Sequence, residues 1–221
     1  HAEYLKEARQ NNLHIGRRYR LYDGGFRLWE VADSLRHADI TFIPNRRDAD
    51  YAIKELGVAP DRVHVVTYGI PEYFLNLPFE FTSESSEAPI AIALMGTYIP
   101  RKGTLYSIPA LRTILTRYPQ VRVSFLGTCC PSEQVYADFE PALHDRVRVV
   151  PYYENEDVPA LLKNHEVLLF PSLSEGFGIA ILESMACGLT PIVTDIPGPT
   201  QAVNEENGIV IPVRDRPAIE H

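Results

Sequence analysis

From residue 90 onward, short runs rich in Val, Ile and Leu alternate with helix-length segments. Few folds accept that alternation. Residues 90–94, 121–126, 147–150, 167–170, 191–194 and 209–211 predict strands, and residues 105–118, 132–143, 158–164 and 178–187 predict helices between them. Near-continuous apolar strands separated by helices specify a parallel sheet covered on both faces, with right-handed crossovers. The expected class is α/β, a Rossmann-like parallel sheet with helices on both faces. In such open sheets a ligand lies outside the carboxyl ends of the strands. The turns after Leu94, Leu126, Val150 and Phe170 are therefore expected to line one crevice.

Upstream, residues 28–36 and 46–56 predict helices, and 40–43 and 63–67 predict strands. The segment Thr82-Ser83-Glu84-Ser85-Ser86-Glu87-Ala88-Pro89 is polar and aperiodic, as a linker is. Residues 1–81 then read as the tail of one domain, 82–89 as the linker, and 90–221 as a second domain. His37-Ala38-Asp39-Ile40-Thr41-Phe42-Ile43-Pro44 echoes His165-Glu166-Val167-Leu168-Leu169-Phe170-Pro171. Equivalent strands in two Rossmann-like units would give that echo, and so would chance. The chain starts at His1 rather than Met and ends shortly after Asp215. The expectation is a piece of a longer protein, truncated where a doubly wound domain carries a further helix.

A net charge of −8 speaks against a nucleic-acid partner, which needs a basic face. Arg17, Arg18, Arg20 and Arg27 form a local basic cluster. A solvated face is the simpler reading, and peripheral contact with anionic lipid or an anionic acceptor is the other. No apolar run reaches the length of a membrane span. Cys129, Cys130 and Cys187 show no metal-ligand spacing with one another or with the histidines, so no metal site is expected. Reduced thiols in a cytoplasmic protein account for them most simply.

The chemistry concentrates in Pro171-Ser172-Leu173-Ser174-Glu175-Gly176-Phe177-Gly178-Ile179-Ala180-Ile181-Leu182-Glu183. A strand enters this run, and a helix leaves it and stops at Gly188. A strand, a glycine turn and a helix start make an anion site. The N–H groups of Gly178 and Ile179 would face a phosphate. Glu183 lies about two turns inside the helix, at ~1.5 Å rise per residue, so Glu175 and Glu183 do not grip one small ion. They suit the two ends of a ligand with phosphates at one end and hydroxyls at the other. The bland alternative makes Glu175 a helix-dipole partner and Glu183 an exposed helix residue. Ile179, Leu182, Met185 and Ala186 are expected to form the buried stripe.

A second turn, Met95-Gly96-Thr97-Tyr98-Ile99-Pro100-Arg101-Lys102-Gly103-Thr104, also follows a strand and opens a helix. Arg101 and Lys102 there suit a diphosphate. Gly127 marks a third close approach of backbone to ligand. The turn after Val150, Pro151-Tyr152-Tyr153-Glu154, offers backbone groups and an aromatic face to a base.

Residues 90–215 resemble the carboxyl-terminal half of a family 4, or group 1, glycosyltransferase of GT-B fold. The resemblance rests on the E-x7-E pattern of Glu175 and Glu183 within Glu-Gly-Phe-Gly-x4-Glu. It extends to Phe170-Pro171-Ser172, Glu183-Ser184-Met185-Ala186-Cys187-Gly188, Val193-Thr194-Asp195 and Asn207-Gly208. Val63-His64-Val65-Val66-Thr67-Tyr68-Gly69-Ile70 fits the family's exit from its amino-terminal domain more loosely. The resemblance implies retaining transfer from a UDP- or GDP-hexose to an acceptor the sequence does not identify, without an obligatory metal or other cofactor. It implies that Glu183 holds ribose hydroxyls and that Glu175, the catalytic candidate, contacts the donor sugar. The Gly178 and Ile179 amides and Lys102 would hold the diphosphate. Gly96, Thr97, Arg101, Gly127, Val150 and Phe177 complete the expected donor site. Two departures bear on activity. Thr97 stands where the family often has Arg, and Ile196-Pro197-Gly198-Pro199-Thr200-Gln201 lacks a Glu the family often has. Most of the acceptor domain also lies outside the chain. A non-catalytic nucleotide-sugar-binding module is the alternative, and a GT-B epimerase or phosphorylase is a more distant one.

Overall fold

The computed structural model describes residues 26–77 and 89–221. Arg17, Arg18, Arg20 and the polar linker up to residue 88 lie outside the described residues.

The first part is a small α/β unit. Helix α1 (Arg27–His37) leads to strand β1 (Thr41–Ile43), helix α2 (Arg46–Lys54) and strand β2 (Val63–Val65), and the two strands pair in parallel, Thr41 against Val63. Ile43, Ala49, Ala52 and Val58 form its core. Asn45 caps α2 through its side-chain oxygen, which accepts from the Asp48 amide at 2.7 Å. A 3-10 turn at Glu72–Asn76 follows, and its Phe74 is only 2% exposed. Phe74 belongs to the core of the second part, beside Ala93, Leu126, Leu168 and Ile181. The chain is thus anchored in the second core before the linker begins.

The second part alternates as its hydrophobic pattern predicts. Strand β3 (Ile90–Met95) precedes helix α3 (Thr104–Arg117), and β4 (Val121–Leu126) precedes α4 (Ser132–Tyr136). Strand β5 (Val147–Val150) precedes α5 (Val158–Leu162), and β6 (Val167–Phe170) precedes α6 (Ile179–Ala186). Strand β7 (Thr190–Thr194), helix α7 (Pro199–Ala202), strand β8 (Ile209–Ile211) and helix α8 (Arg216–Glu220) complete the chain. The strands form one six-stranded parallel sheet in the order β5-β4-β3-β6-β7-β8. One core cluster runs under α5 and α6 and another under α3 and α4, so both faces are covered.

This order fixes where a ligand can sit. The chain winds outward from β3 to β5, returns to β6 beside β3, and winds outward the other way. The loops after β3 and β6 therefore diverge at the switch point and leave a crevice between them.

Three expected elements differ. The helix expected at 132–143 is broken: α4 ends at Tyr136, and a separate 3-10 turn spans Pro141–Arg146. Pro141 drives Glu140 into an extended conformation, φ −62° and ψ 141°. The helix expected at 158–164 ends at Leu162, because Lys163 is extended and Asn164 turns left-handed at φ 64°. The expected buried stripe of α6 is also displaced. Ile181, Glu183 and Ser184 are its buried residues, whereas Ile179 is 40% exposed. The helix packs on the sheet, on α7 and on the turn at Glu72–Asn76, so more than one face is covered. Beyond Asp215, where the chain was expected to stop short of a further helix, the short helix α8 is present and packs on α3.

Candidate functional site

The loops after β3 and β6 interlock at the switch point. The Leu173 amide donates to the Arg101 carbonyl at 2.8 Å. Gly103 has φ +80°, and a Cβ there would lie 2.0 Å from the Pro171 carbonyl oxygen. Glycine is required here on both counts. At the far end of the β6 loop, Gly178 has φ +89°, and a Cβ would meet Ile181 Cδ1 at 3.0 Å and the Phe170 ring at 3.3 Å. This left-handed residue turns the chain into α6, whose first amides have no intrahelical acceptor.

A cleft of about 340 Å³ opens over that helix start. Gly96, Lys102, Glu175, Phe177, Gly178 and Ile179 line it, together with Tyr68 and Tyr153. Thr97 lies in a small recess alongside, with Gly96, Lys102 and Ser172. The Tyr68 ring meets the Phe177 ring edge-on at 5.6 Å, so the upstream unit supplies one wall.

Glu175 is the electrostatic centre. Lys102 Nζ lies 2.6 Å and Arg101 Nη1 3.2 Å from its Oε1, and the Ser172 hydroxyl donates to the same oxygen at 3.1 Å. Its side chain is only 11% exposed. Arg101 Nη1 also donates to the Ser174 carbonyl at 2.8 Å. Lys102 Nζ sits 4.9 Å from the centre of the Phe170 ring and passes within about a side chain's width of Gly96, where a Cβ would meet Lys102 Cε at 3.2 Å. The two cations expected to neutralise a diphosphate are thus held by the carboxylate expected to meet the sugar.

Glu183 lies deeper, about one turn along α6 rather than the two expected, and is 7% exposed. This overturns the solvent-exposed alternative for it. Burial holds its carboxyl above the ordinary value of 4.5, and a hydrogen bond from the Asn155 side chain opposes that rise. Tyr73, Tyr153 and Cys187 surround it, all with protonated forms favoured first by burial and also by the Glu183 charge. The Cys187 thiol is pushed up to about 11.

Gly127 and Val150 lie together on the β4 and β5 side. The Gly127 amide donates to the Val150 carbonyl at 2.8 Å, and a Cβ on Gly127 would meet the Tyr153 ring at 2.9 Å. Tyr153 therefore joins these two residues to the cleft. Sequence reasoning missed Tyr73 and Asn155, which adjoin Glu183 only in space. Tyr68 stood in the sequence within Thr67-Tyr68-Gly69-Ile70, with no sign that it would reach Phe177.

The upstream unit braces the motif loop from behind. The Asn45 side-chain amide donates to the Gly176 carbonyl at 2.8 Å. Arg47 pairs with Asp195 at 2.5 Å, and the Arg46 amide donates to Gln201 Oε1 at 3.1 Å. Among the described residues no cluster of three or more His, Cys, Asp or Glu side chains is placed to hold a metal ion. No helix among them is long and apolar enough to cross a membrane.

Comparison with known proteins places these features. The family model described as "Glycosyl transferases group 1" matches residues 89–220. The GDP-mannose:cellobiosyl-diphosphopolyprenol alpha-mannosyltransferase of Xanthomonas campestris is 30% identical over 163 residues, which are 72% of this chain and 41% of that protein. The UDP-Gal:alpha-D-GlcNAc-diphosphoundecaprenol alpha-1,3-galactosyltransferase of Escherichia coli is 27% identical over 182 residues, 77% of this chain and 46% of that one. The chain therefore spans less than half the length of either relative. Among solved structures, the sucrose-phosphate synthase of Thermosynechococcus elongatus superposes with a TM-score of 0.72 at 22% identity, over 93% of this chain and 53% of that one. Anabaena Alr3699/HepE in complex with UDP and glucose gives 0.67 at 18% identity, over 88% and 55%. The structural likenesses establish the fold.

Proposed function

Because this chain belongs to the group 1 glycosyl transferases, we propose that it carries the nucleotide-sugar site of a retaining glycosyltransferase whose donor is a UDP- or GDP-hexose. One observation carries the reading: the open start of α6, Lys102 and Glu175 share a single cleft at the switch point of the sheet. Residues 90–221 form the donor domain, and the unit before the linker belongs to the acceptor domain.

A diphosphate at the start of α6 accepts from the Gly178 and Ile179 amides and meets the positive end of the helix. Its charge draws Lys102 and Arg101 away from Glu175. The released carboxylate then accepts hydrogen bonds from the hexose hydroxyls. Glu183 accepts from the ribose hydroxyls, and Tyr153 lies beside the base. In the transfer step the bond from the anomeric carbon to the diphosphate oxygen breaks. The acceptor oxygen bonds to the same face of the sugar, and its proton passes to the departing diphosphate. The protein's main contribution is the fixed positive field around that diphosphate. Lys102, Arg101 and the helix amides supply this field, so a metal ion is not required.

The donors in the relatives' names, GDP-mannose and UDP-Gal, favour the two nucleotide classes. Their named acceptors are diphosphopolyprenol-linked sugars. An acceptor of that chemistry would bring the protein to the cytoplasmic face of a membrane as a peripheral enzyme.

The test is heat protection of the 221-residue chain by UDP, GDP and their hexose conjugates at millimolar concentration, with inorganic phosphate as control. A rise in melting temperature with a nucleoside diphosphate and none with phosphate is expected. No shift with any nucleotide overturns the reading.

A further inference from the structure

The loops that leave the two-stranded sheet both close on the middle of the motif loop. After β1, the Asn45 side chain donates to the Gly176 carbonyl at 2.8 Å. After β2, the Tyr68 ring meets the Phe177 ring at 5.6 Å and 71°. Ligands of parallel α/β units lie outside the carboxyl ends of the strands. A ligand in the cleft over α6 therefore meets loops from both units.

Tyr68 is built as a ligand-facing side chain rather than a packing one. It is 53% exposed, whereas the Phe177 it rests on is 5% exposed. Among the described residues no hydrogen bond holds its hydroxyl. Phe177 is itself held from behind: a Cβ on Gly198, at the start of α7, would lie 2.7 Å from the Phe177 nitrogen. Tyr68 thus leans on a fixed ring, and its remaining surface lines the cleft with Gly96, Lys102, Glu175 and Gly178. A supported aromatic side chain gives up little conformational freedom when a ligand packs on it.

Its place along the cleft selects the part of the ligand it meets. Glu175, Gly176, Phe177 and Gly178 are consecutive. Tyr68 on Phe177 therefore stands between the carboxylate and the open helix amides. The β4 and β5 side, with Gly127, Val150 and Tyr153, is a separate wall. A diphosphate at Gly178 with its base towards Tyr153 leaves the hexose towards Glu175, against Tyr68. A pyranose offers a flat C–H face and hydroxyls, and a tyrosine offers an apolar ring and a hydroxyl that donates and accepts.

We propose that Tyr68, supplied by the upstream unit, is a hexose-selecting residue that packs on the donor sugar and not on the nucleotide. The inference rests on the donor-site reading above. The bare diphosphate left after transfer has no pyranose and loses this contact.

The test is isothermal titration of the 221-residue chain, its Tyr68→Ala variant and its Tyr68→Phe variant with UDP, GDP and the donors in the relatives' names, UDP-Gal and GDP-mannose. For the base that binds, Tyr68→Ala should weaken the hexose conjugate about tenfold and the bare diphosphate less than about twofold, since an aromatic contact and a neutral hydrogen bond are lost from the sugar alone. Tyr68→Phe keeps the ring and its contact with Phe177, so it remains informative if Tyr68→Ala folds poorly. It should weaken the conjugate alone by about threefold, the scale of one neutral hydrogen bond. Equal losses for conjugate and bare diphosphate, or an unchanged conjugate affinity in the folded variants, overturn the proposal and leave the donor-site reading standing. Binding of none of the four compounds to the wild-type chain overturns the donor-site reading and the proposal with it.

Discussion

At the scale of single residues, Glu183 sets function against stability. Its carboxyl is held above 4.5 by burial, so folding favours the protonated form. For a group raised in the folded state, the stabilising contribution is complete below the unfolded value. It is lost as pH rises through the folded value. Glu183→Gln should therefore raise the melting temperature at pH 7, and the gain should vanish below about pH 4.5, near the ordinary carboxyl value. Melting curves across pH 4–8 check this; a gain independent of pH would contradict it. Lys102 behaves in the opposite sense. It neutralises Glu175 at 2.6 Å in a setting where both side chains are largely covered, so Lys102→Ala leaves a buried carboxylate short of its nearest cation. A loss of about 1–3 kcal/mol is expected in denaturant unfolding, the range for a charged group left without its hydrogen-bond partner, and Arg101 at 3.2 Å limits it. The sequence made Glu175 and Lys102 legible because each follows a strand and opens a helix. It did not show that they pair, because 73 residues separate them and only the adjacency of β3 and β6 joins their loops.

At the scale of elements, the two interlocked loops and α6 behave as one piece. Helix α6 ends in a Schellman arrangement: the Gly188 amide donates to the Met185 carbonyl at 2.9 Å and the Leu189 amide to the Ser184 carbonyl at 3.0 Å. The stop expected at Gly188 is therefore real and has a mechanism. Its start is fixed by Gly178 and by the contact between the loops at Gly103. Gly103→Ala combines positive-φ strain with a collision against the Pro171 carbonyl oxygen. Together these should cost about 2–6 kcal/mol, measurable by urea unfolding; a near-neutral result would show that the loops slide freely. The strands and longer helices after residue 90 were legible because their apolar patterns are local. The break at Pro141 was written in the sequence but competed with a helical pattern. The burial of Glu183 was not legible, because the cover on that face of α6 comes from the turn at Glu72–Asn76, more than a hundred residues upstream.

At the scale of the whole molecule, the upstream unit and the six-stranded domain meet at the motif loop. Asn45 is fully buried, caps α2 with its oxygen and holds the Gly176 carbonyl with its nitrogen. Asn45→Ala removes both bonds, together with the one its amide donates to Asp48 Oδ2 at 2.7 Å, and takes the Asn45 donor away from the Gly176 carbonyl. A loss of about 1–3 kcal/mol is expected, together with weaker nucleotide binding, because the loop that presents Glu175 loses its brace. Unchanged binding in a destabilised Asn45→Ala chain would show that the brace serves folding alone. Phe74 tells the same story from the other side, since its ring fills the core of the second part from before the linker. The central claim is that the start of α6, Lys102 and Glu183 form one nucleoside-diphosphate site. Isothermal titration of UDP and GDP into the 221-residue chain, its Lys102→Ala variant and its Glu183→Ala variant tests it most directly. Saturable binding of at least one nucleotide, weakened about tenfold or more in each variant as the loss of a charged contact requires, is the predicted result. No binding by the folded wild-type chain, or equal affinity in all three proteins, would contradict it.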